Sequence, residues 1–267
     1  MKKNVSIIVP THNRPQTLAR ALDSISRQTY KSIEVIVVND GGCDVQDIIN
    51  AFSEKIEIKY FIHQTSKGPG AARNTAIENA GGKYITYLDD DDIIYPEHIQ
   101  TLADFLEASE YKAAYTDAYR ILQEERNGKY EIIAKEIFHS QDFNRDYFLV
   151  ASYIAVQSIM HQKACFEKSG YFDASLTTHE DLDLWIRLSH WYDFAHIKKV
   201  TSEFHEKNDG VSQTGSDKQR RLDNLELIYK RYSRWASPKI QFLQSRVLQR
   251  MYGNYGIEMP KRLKENS

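Results

Sequence analysis

Tyr84-Ile-Thr-Tyr-Leu-Asp-Asp-Asp-Asp-Ile-Ile-Tyr-Pro-Glu97 sets four adjacent carboxylates directly after an apolar run. Adjacent carboxylates repel, and each raises its neighbour's pKa unless something positive compensates. Such a turn either points into water and caps the helix that follows Pro96, or it holds a cation. The run before it, Tyr84–Leu88, reads as a buried strand, so the acids stand at a strand's carboxyl end. Strand alternation lets Asp89 and Asp91 face one side together. Carboxylates so placed suit a hard divalent ion, Mg²⁺ or Mn²⁺, that also binds phosphate oxygens. The glycine and later ligands of a calcium EF-hand are absent.

Outward from this stretch, strand and helix alternate four times. Val5–Pro10, Glu34–Val38 and Ile56–His63 read as strands, with helices over Pro15–Gln28, Val45–Phe52, Ala71–Ala80 and Pro96–Ala108. Alternation of this kind predicts an α/β fold with a mostly parallel central sheet. Ligands in such sheets bind beyond the carboxyl ends of the strands. Thr11–Arg14, Asn39–Gly42 and Asp89–Asp92 are therefore expected at one edge. After Lys112 the pattern loosens. Tyr115–Leu122 and Tyr130–Phe138 suggest a hairpin turning at Asn127-Gly128, and His179–His190 an amphipathic helix. Phe194–Phe204 suggests a strand or two, and Asp217–Tyr232 and Lys239–Tyr252 suggest helices.

Across its 267 residues the chain is 41% hydrophobic and 27% charged, with a formal net charge of −2. That is a globular composition with no overall basic character to argue for nucleic acid. Cys43 and Cys165 do not make a disulfide framework and fit a reducing compartment. Each apolar run is too short for a signal core or a membrane span, which places the protein in the cytoplasm or peripherally on the inner membrane face. Charge is uneven: residues 217–267 hold twelve Lys/Arg against five Asp/Glu. The organisation therefore changes near Gly215. Residues 1–215 read as a catalytic domain, its donor half ending at about residue 110, and residues 216–267 as a basic helical appendage. That appendage either packs on the domain or docks to an anionic membrane or partner protein.

Val5-Ser-Ile-Ile-Val-Pro-Thr-His-Asn-Arg14, Val38-Asn-Asp-Gly-Gly42, Gly70-Ala-Ala-Arg-Asn74, Tyr87-Leu-Asp-Asp-Asp-Asp92 and His179-Glu-Asp-Leu-Asp-Leu-Trp-Ile-Arg-Leu188 stand in the order of the family 2 glycosyltransferases. From residue 5 to about 212 the chain resembles an inverting enzyme of the GT-A fold. The resemblance implies transfer from a nucleotide-diphospho-sugar with a divalent metal to a glycan, lipid-linked or protein-linked hydroxyl, as in bacterial surface-glycan synthesis. Carried over residue by residue, it makes Asp91 the principal metal ligand. Asp89 becomes the first acid of the DxD motif, with Asp90 beside it at the donor. Asp40 becomes the acceptor of a pyrimidine N–H, which favours a UDP-sugar, with dTDP as alternative. Thr11, Asn13 and Arg14 would line the nucleotide pocket. Arg73, on the first turn of a helix, would meet base, ribose or diphosphate, or only pack. Lys67 covers the diphosphate or is simply solvated. Asp181 matches the catalytic base that takes the acceptor's proton, and Glu180 would contact acceptor or sugar. His205 completes the metal shell or is a lone surface or core histidine.

Two other classes compete. A sugar nucleotidyltransferase would carry a glycine-rich basic signature after the first strand, where Thr11-His-Asn-Arg14 stands instead. A non-catalytic nucleotide-sugar binder would be expected to have lost Asp181. A dehydrogenase would need G-x-G-x-x-G after strand one.

Overall fold

The computed structural model describes residues 4–126, 129–207 and 218–260. In chain order its elements begin β1 Val5–Thr11, α1 Pro15–Ser26, β2 Ile33–Asp40, α2 Gln46–Ser53, β3 Ile58–His63, α3 Pro69–Glu78 and β4 Tyr84–Tyr87. There follow β5 Ile93–Ile94, α4 His98–Glu107, β6 Ala113–Arg126, β7 Lys129–Phe138, α5 Arg145–Phe148, β8 Ile159–Gln162 and α6 Phe166–Ser169. The series ends with α7 Glu180–Trp191, β9 Phe194–Lys207, α8 Lys218–Arg231 and α9 Pro238–Tyr255. The expected turn at Asn127-Gly128 and the boundary near Gly215 lie outside the described residues.

One sheet runs β3-β2-β1-β4-β8-β6-β9-β5, with β7 paired to β6. Its first four strands are parallel, as the alternation predicts. β8 then enters antiparallel between β4 and β6. β6 and β9 run parallel for most of their length, with register shifts around Asp117. Phe194–Lys207 is thus one long strand, whose far end reaches back to pair with β5 beside the acidic turn.

The buried strands are apolar on both faces, and period 2 sorts them into two cores. Ile8, Ile36 and Val38 face one core with Tyr87 and Trp185. Ile7, Val9, Val35 and Val37 face the other, under α1 and α4. The C-terminal helices join the first core: Leu222, Leu225, Ile228, Tyr229 and Tyr232 of the α8 region are buried there, with Ile240, Leu248 and Tyr252 of α9. The helical spacing of these residues in the sequence thus marks a packed face.

This packing predicts a contrast within one helix. Leu222→Ala, at a fully buried position, should destabilise the protein by about 2–5 kcal/mol. Leu227→Ala, at a 43% exposed position, should change stability by about 0.5 kcal/mol or less. Urea unfolding midpoints measure both.

Candidate active site

The loops after β1, β2 and β4 open on one edge, where they line a cleft of about 450 Å³ with the end of β9. Thr11, Arg14, Asp40, Arg73, Asp89, Asp90, Asp91 and His205 all line it. Tight approaches hold the loops together. A side chain at Gly41 (φ +71°) would meet the backbone of Ser66 at 2.5 Å, and one at Gly42 would meet that of Asn13 at 2.6 Å. Only glycine fits between these loops.

The acidic turn alternates: Asp90 and Asp92 are buried, while Asp89 and Asp91 are partly open to the cleft. Asp89 accepts from Arg73 Nη2 at 2.6 Å. Asp90 accepts from the Thr11 hydroxyl at 2.7 Å and pairs with Arg14 at 3.2 Å. Burial, against the pull of Arg14, pushes its carboxyl up to about 6. Asp91 lies 2.6 Å from Arg14 Nη1, and burial raises its carboxyl too. Asp92 accepts the His205 backbone N–H at 3.3 Å; burial and its acidic neighbours push it well above the usual carboxylate range.

Arg73, on the first turns of α3, reaches both halves of the site. Its side chain is 4% exposed and pairs with Asp89 at 2.6 Å and with Glu180 of α7 at 2.5 Å. Burial opposes its charge, but the two carboxylates outweigh that and hold it protonated. Asp181 follows on α7. Burial first, then the Glu180 charge, push its carboxyl up to about 6, with Arg73 pulling the other way. Neither Glu180 nor Asp181 lines the cleft under the donor loops; both stand at its Arg73 side. His179, before them, has a left-handed backbone with φ 61°, an uncommon conformation for a residue with a side chain.

Asp40 is occupied by protein donors. Its oxygens accept from His63 Nδ1 at 2.6 Å, the Ser66 hydroxyl at 2.7 Å, and the N–H groups of Lys67 and Gly68 at 2.9 and 2.8 Å. Burial would raise its carboxyl, but these bonds hold it below the usual range. Lys67 contributes its backbone N–H here while its side chain is exposed. Asn13, with φ 57°, turns its carboxamide to the Cys43 N–H and to His12 rather than into the cleft.

The sequence reading did not assign a role to His12, Ser66, Pro69, Ala72, Phe204 or Glu206, which line the cleft as well, with Pro10 and Gly68. His12 and Ala72 sit inside motifs already quoted, so their neighbours were the available signal. His63, the inner partner of Asp40, ends the third strand at the same edge.

Metal capacity can be judged from the donor set. Among the described residues no group of three or more His, Cys, Asp or Glu side chains is gathered as a metal shell. His205 nevertheless lines the cleft with Asp91, and its side chain is 7% exposed with both ring nitrogens lacking a hydrogen-bond partner. Its Nε2 is 3.5 Å from Glu203, within ion-pair reach. A buried imidazole with free nitrogens beside a carboxylate fits a divalent ion whose other ligands come from phosphate and water.

The family model described as Glycosyl transferase family 2 matches residues 6–166. An uncharacterized glycosyltransferase of Bacillus subtilis, YwdF, is 31% identical over 225 residues, 83% of this chain and 82% of its own length. Rickettsial relatives are longer: the chain spans 29% of the one from Rickettsia bellii, at 31% identity over 212 residues. Among solved structures, S. aureus TarS 1–349 in complex with UDP superposes with a TM-score of 0.70 at 18% identity, over 98% of this chain and 77% of that one. The mannosyltransferase PcManGT from Pyrobaculum calidifontis, in complex with GDP-Man and Mn²⁺, gives 0.64 at 15% identity, over 99% and 78%. The shared architecture is the GT-A fold.

The Asp40 network yields a test. Hydrogen bonds to a charged group contribute about 1.5–3 kcal/mol. Asp40→Asn should therefore speed amide exchange at Lys67 and Gly68 roughly ten- to a hundredfold. Exchange at Ile36 in the middle of β2 should be unchanged. Mass spectrometry or NMR reads both.

Proposed function

The chain belongs to glycosyl transferase family 2, and we propose that it moves a sugar from a nucleotide-diphospho-sugar to an acceptor hydroxyl with inversion at the anomeric carbon. The observation that supports this most is the Asp89–Arg73–Glu180 chain of ion pairs. It joins the acidic turn, which suits a donor, to the helix bearing Asp181, which suits an acceptor.

In this reading Asp181 takes the proton of the acceptor hydroxyl. The acceptor oxygen bonds to the anomeric carbon opposite the leaving group. The bond to the diphosphate oxygen breaks with its electron pair, and the nucleoside diphosphate departs. Thr11, Asp90 and Arg14 border the nucleotide side of the cleft. Asp40 acts there by ordering the Ser66–Gly68 loop, unless a pyrimidine N–H replaces one of its present donors. UDP is the favoured nucleotide, in keeping with the UDP bound by TarS. Mn²⁺ or Mg²⁺ would be held by Asp91 and His205, and when bound would supply positive charge against the departing diphosphate. The acceptor is a glycan or a lipid- or protein-linked hydroxyl of a cell-envelope polymer.

Two results test the base. Asp181→Asn should bind UDP like the wild type while turnover falls by roughly two to four orders of magnitude. Near-normal turnover would move proton removal to another group. A base works only when deprotonated, so the wild-type rate should fall as pH drops through about 6. The Glu180 charge helps raise that value, so in Glu180→Gln the acid limb should move to lower pH. A kcat profile over pH measures the shift.

The outer face of α8 and α9 extends the reading. Among the described residues no helix is long and apolar enough to cross a membrane. Lys230, Arg234, Lys239 and Arg246 are exposed on these helices, as are Leu227 and Phe242, which share a groove with Lys230, Asp223 and Glu226. Such a face suits an anionic membrane that carries a lipid-linked acceptor, each cation contributing on the order of 1 kcal/mol. The protein should sediment with phosphatidylglycerol vesicles at low salt and release at high salt. Lys230→Glu with Arg234→Glu should remove that binding and leave UDP affinity intact. Sedimentation unchanged by the double reversal would dismiss this face as the docking surface.

A further inference from the structure

Arg14 occupies the carboxylate that the proposed reading assigns to the metal. Its Nη1 stands 2.6 Å from Asp91 Oδ2 and 3.2 Å from Asp90 Oδ1. The backbone at Arg14 is fixed, because it precedes Pro15 at the first position of α1. The side chain is not: it is 38% exposed, against 5% and 21% for its two partners. A long, half-open side chain on a fixed root can leave its partners without moving the fold.

A divalent ion and a guanidinium cannot both sit on one carboxylate without strong repulsion. Asp91 is partly buried beside three other acids, a setting that favours a cation at its oxygens, and Arg14 supplies one at 2.6 Å. A donor diphosphate entering this cleft would bring new anionic oxygens, and a guanidinium matches phosphate geometry as well as carboxylate. We infer that Arg14 is a stand-in cation, holding Asp91 until a diphosphate draws it away and a divalent ion takes its place. Metal and donor then enter as a coupled pair, and Arg14 changes partner from carboxylate to phosphate. This rests on the metal reading of the site given above.

The coupling is reciprocal, so it can be measured by binding alone. The experiment titrates Mn²⁺ into the full chain with and without UDP, following free Mn²⁺ by electron paramagnetic resonance. Wild type should bind Mn²⁺ weakly alone and at least tenfold more tightly with UDP. Arg14→Met should bind Mn²⁺ alone at least tenfold more tightly than wild type, bind UDP alone more weakly, and show little coupling between them. Arg14→Lys, which keeps the charge, should restore weak Mn²⁺ binding and the coupling. Mn²⁺ binding alone that is unchanged or weaker in Arg14→Met, in protein shown folded by circular dichroism, overturns the inference. If Arg14→Met does not fold, Arg14→Lys decides: Mn²⁺ affinity without UDP that rises tenfold despite the retained charge also overturns it. The metal reading fails separately, and the inference with it, if wild type binds UDP but takes up no Mn²⁺ beside it, or if Asp91→Ala takes up Mn²⁺ as well as wild type.

Discussion

The Arg73 guanidinium, buried between Asp89 and Glu180, is the constraint on which both halves of the site depend. A charge at that depth without partners would cost several kcal/mol, so its carboxylates are required by the fold itself. They reach Arg73 from two separate elements, Asp89 from the turn after β4 and Glu180 from the start of α7, 107 residues along the chain from Arg73. The ring of Phe172 lies under the guanidinium at 5.4 Å and excludes water from that side. Helix α7 can dock only where Glu180 meets Arg73. The next residue, Asp181, is placed by the same contact. One stabilising interaction thus also sets where the proposed base stands.

The crowding of four aspartates resolves into four different environments. Alternation divides them between the cleft and the interior, and each then meets its own partner: Arg73, Thr11 with Arg14, Arg14 alone, or the His205 backbone. Two arginines serve three of the acids. The buried pair carry raised pKa values because burial disfavours their charge, which lowers the repulsion in the turn. The turn is therefore poised by protein cations rather than dispersed into water. In the proposed reading its affinity for an added cation depends on how readily Arg14, the more exposed of the two, leaves.

The parallel half of the sheet was legible because its strands are buried on both faces and rich in branched side chains, with helices of clear period between them. Val5–Thr11, Ile33–Asp40 and Tyr84–Tyr87 fall where the sequence indicated, and their loops meet at one edge. The order of β8, β6 and β9 was not legible. It depends on pairings between residues 44 to 84 positions apart, and no local period encodes those. The same holds within the site. That Asp40 belongs there follows from its place after β2; that His63, Ser66, Lys67 and Gly68 already fill its oxygens follows only from the fold of β3 and its loop. Asn13 and Lys67 show the converse. Asn13 stands in the right motif but turns its side chain to Cys43, and Lys67 stands in the right loop with its side chain exposed.

Helix α8 bears on the position of α7 through Asp183. Asp183 lies two positions after Asp181 on α7, and its side chain is fully buried. It accepts from Arg187 on its own helix, and from Arg231 at 2.6 Å and the Tyr232 hydroxyl at 2.7 Å at the end of α8. At the other end of the contact, Asn224 donates to the Thr178 backbone carbonyl at 3.2 Å, just before the left-handed His179 that starts α7. A buried carboxylate demands such donors, and two of Asp183's, Arg231 and Tyr232, come from the basic C-terminal region. Its arginines are thus not interchangeable surface charge: Arg231 faces inward to Asp183 and Asp173, while Lys230 and Arg234 face out. Arg73 fixes α7 from the donor side and α8 fixes it from behind. The angle at which Asp181 is presented follows from both.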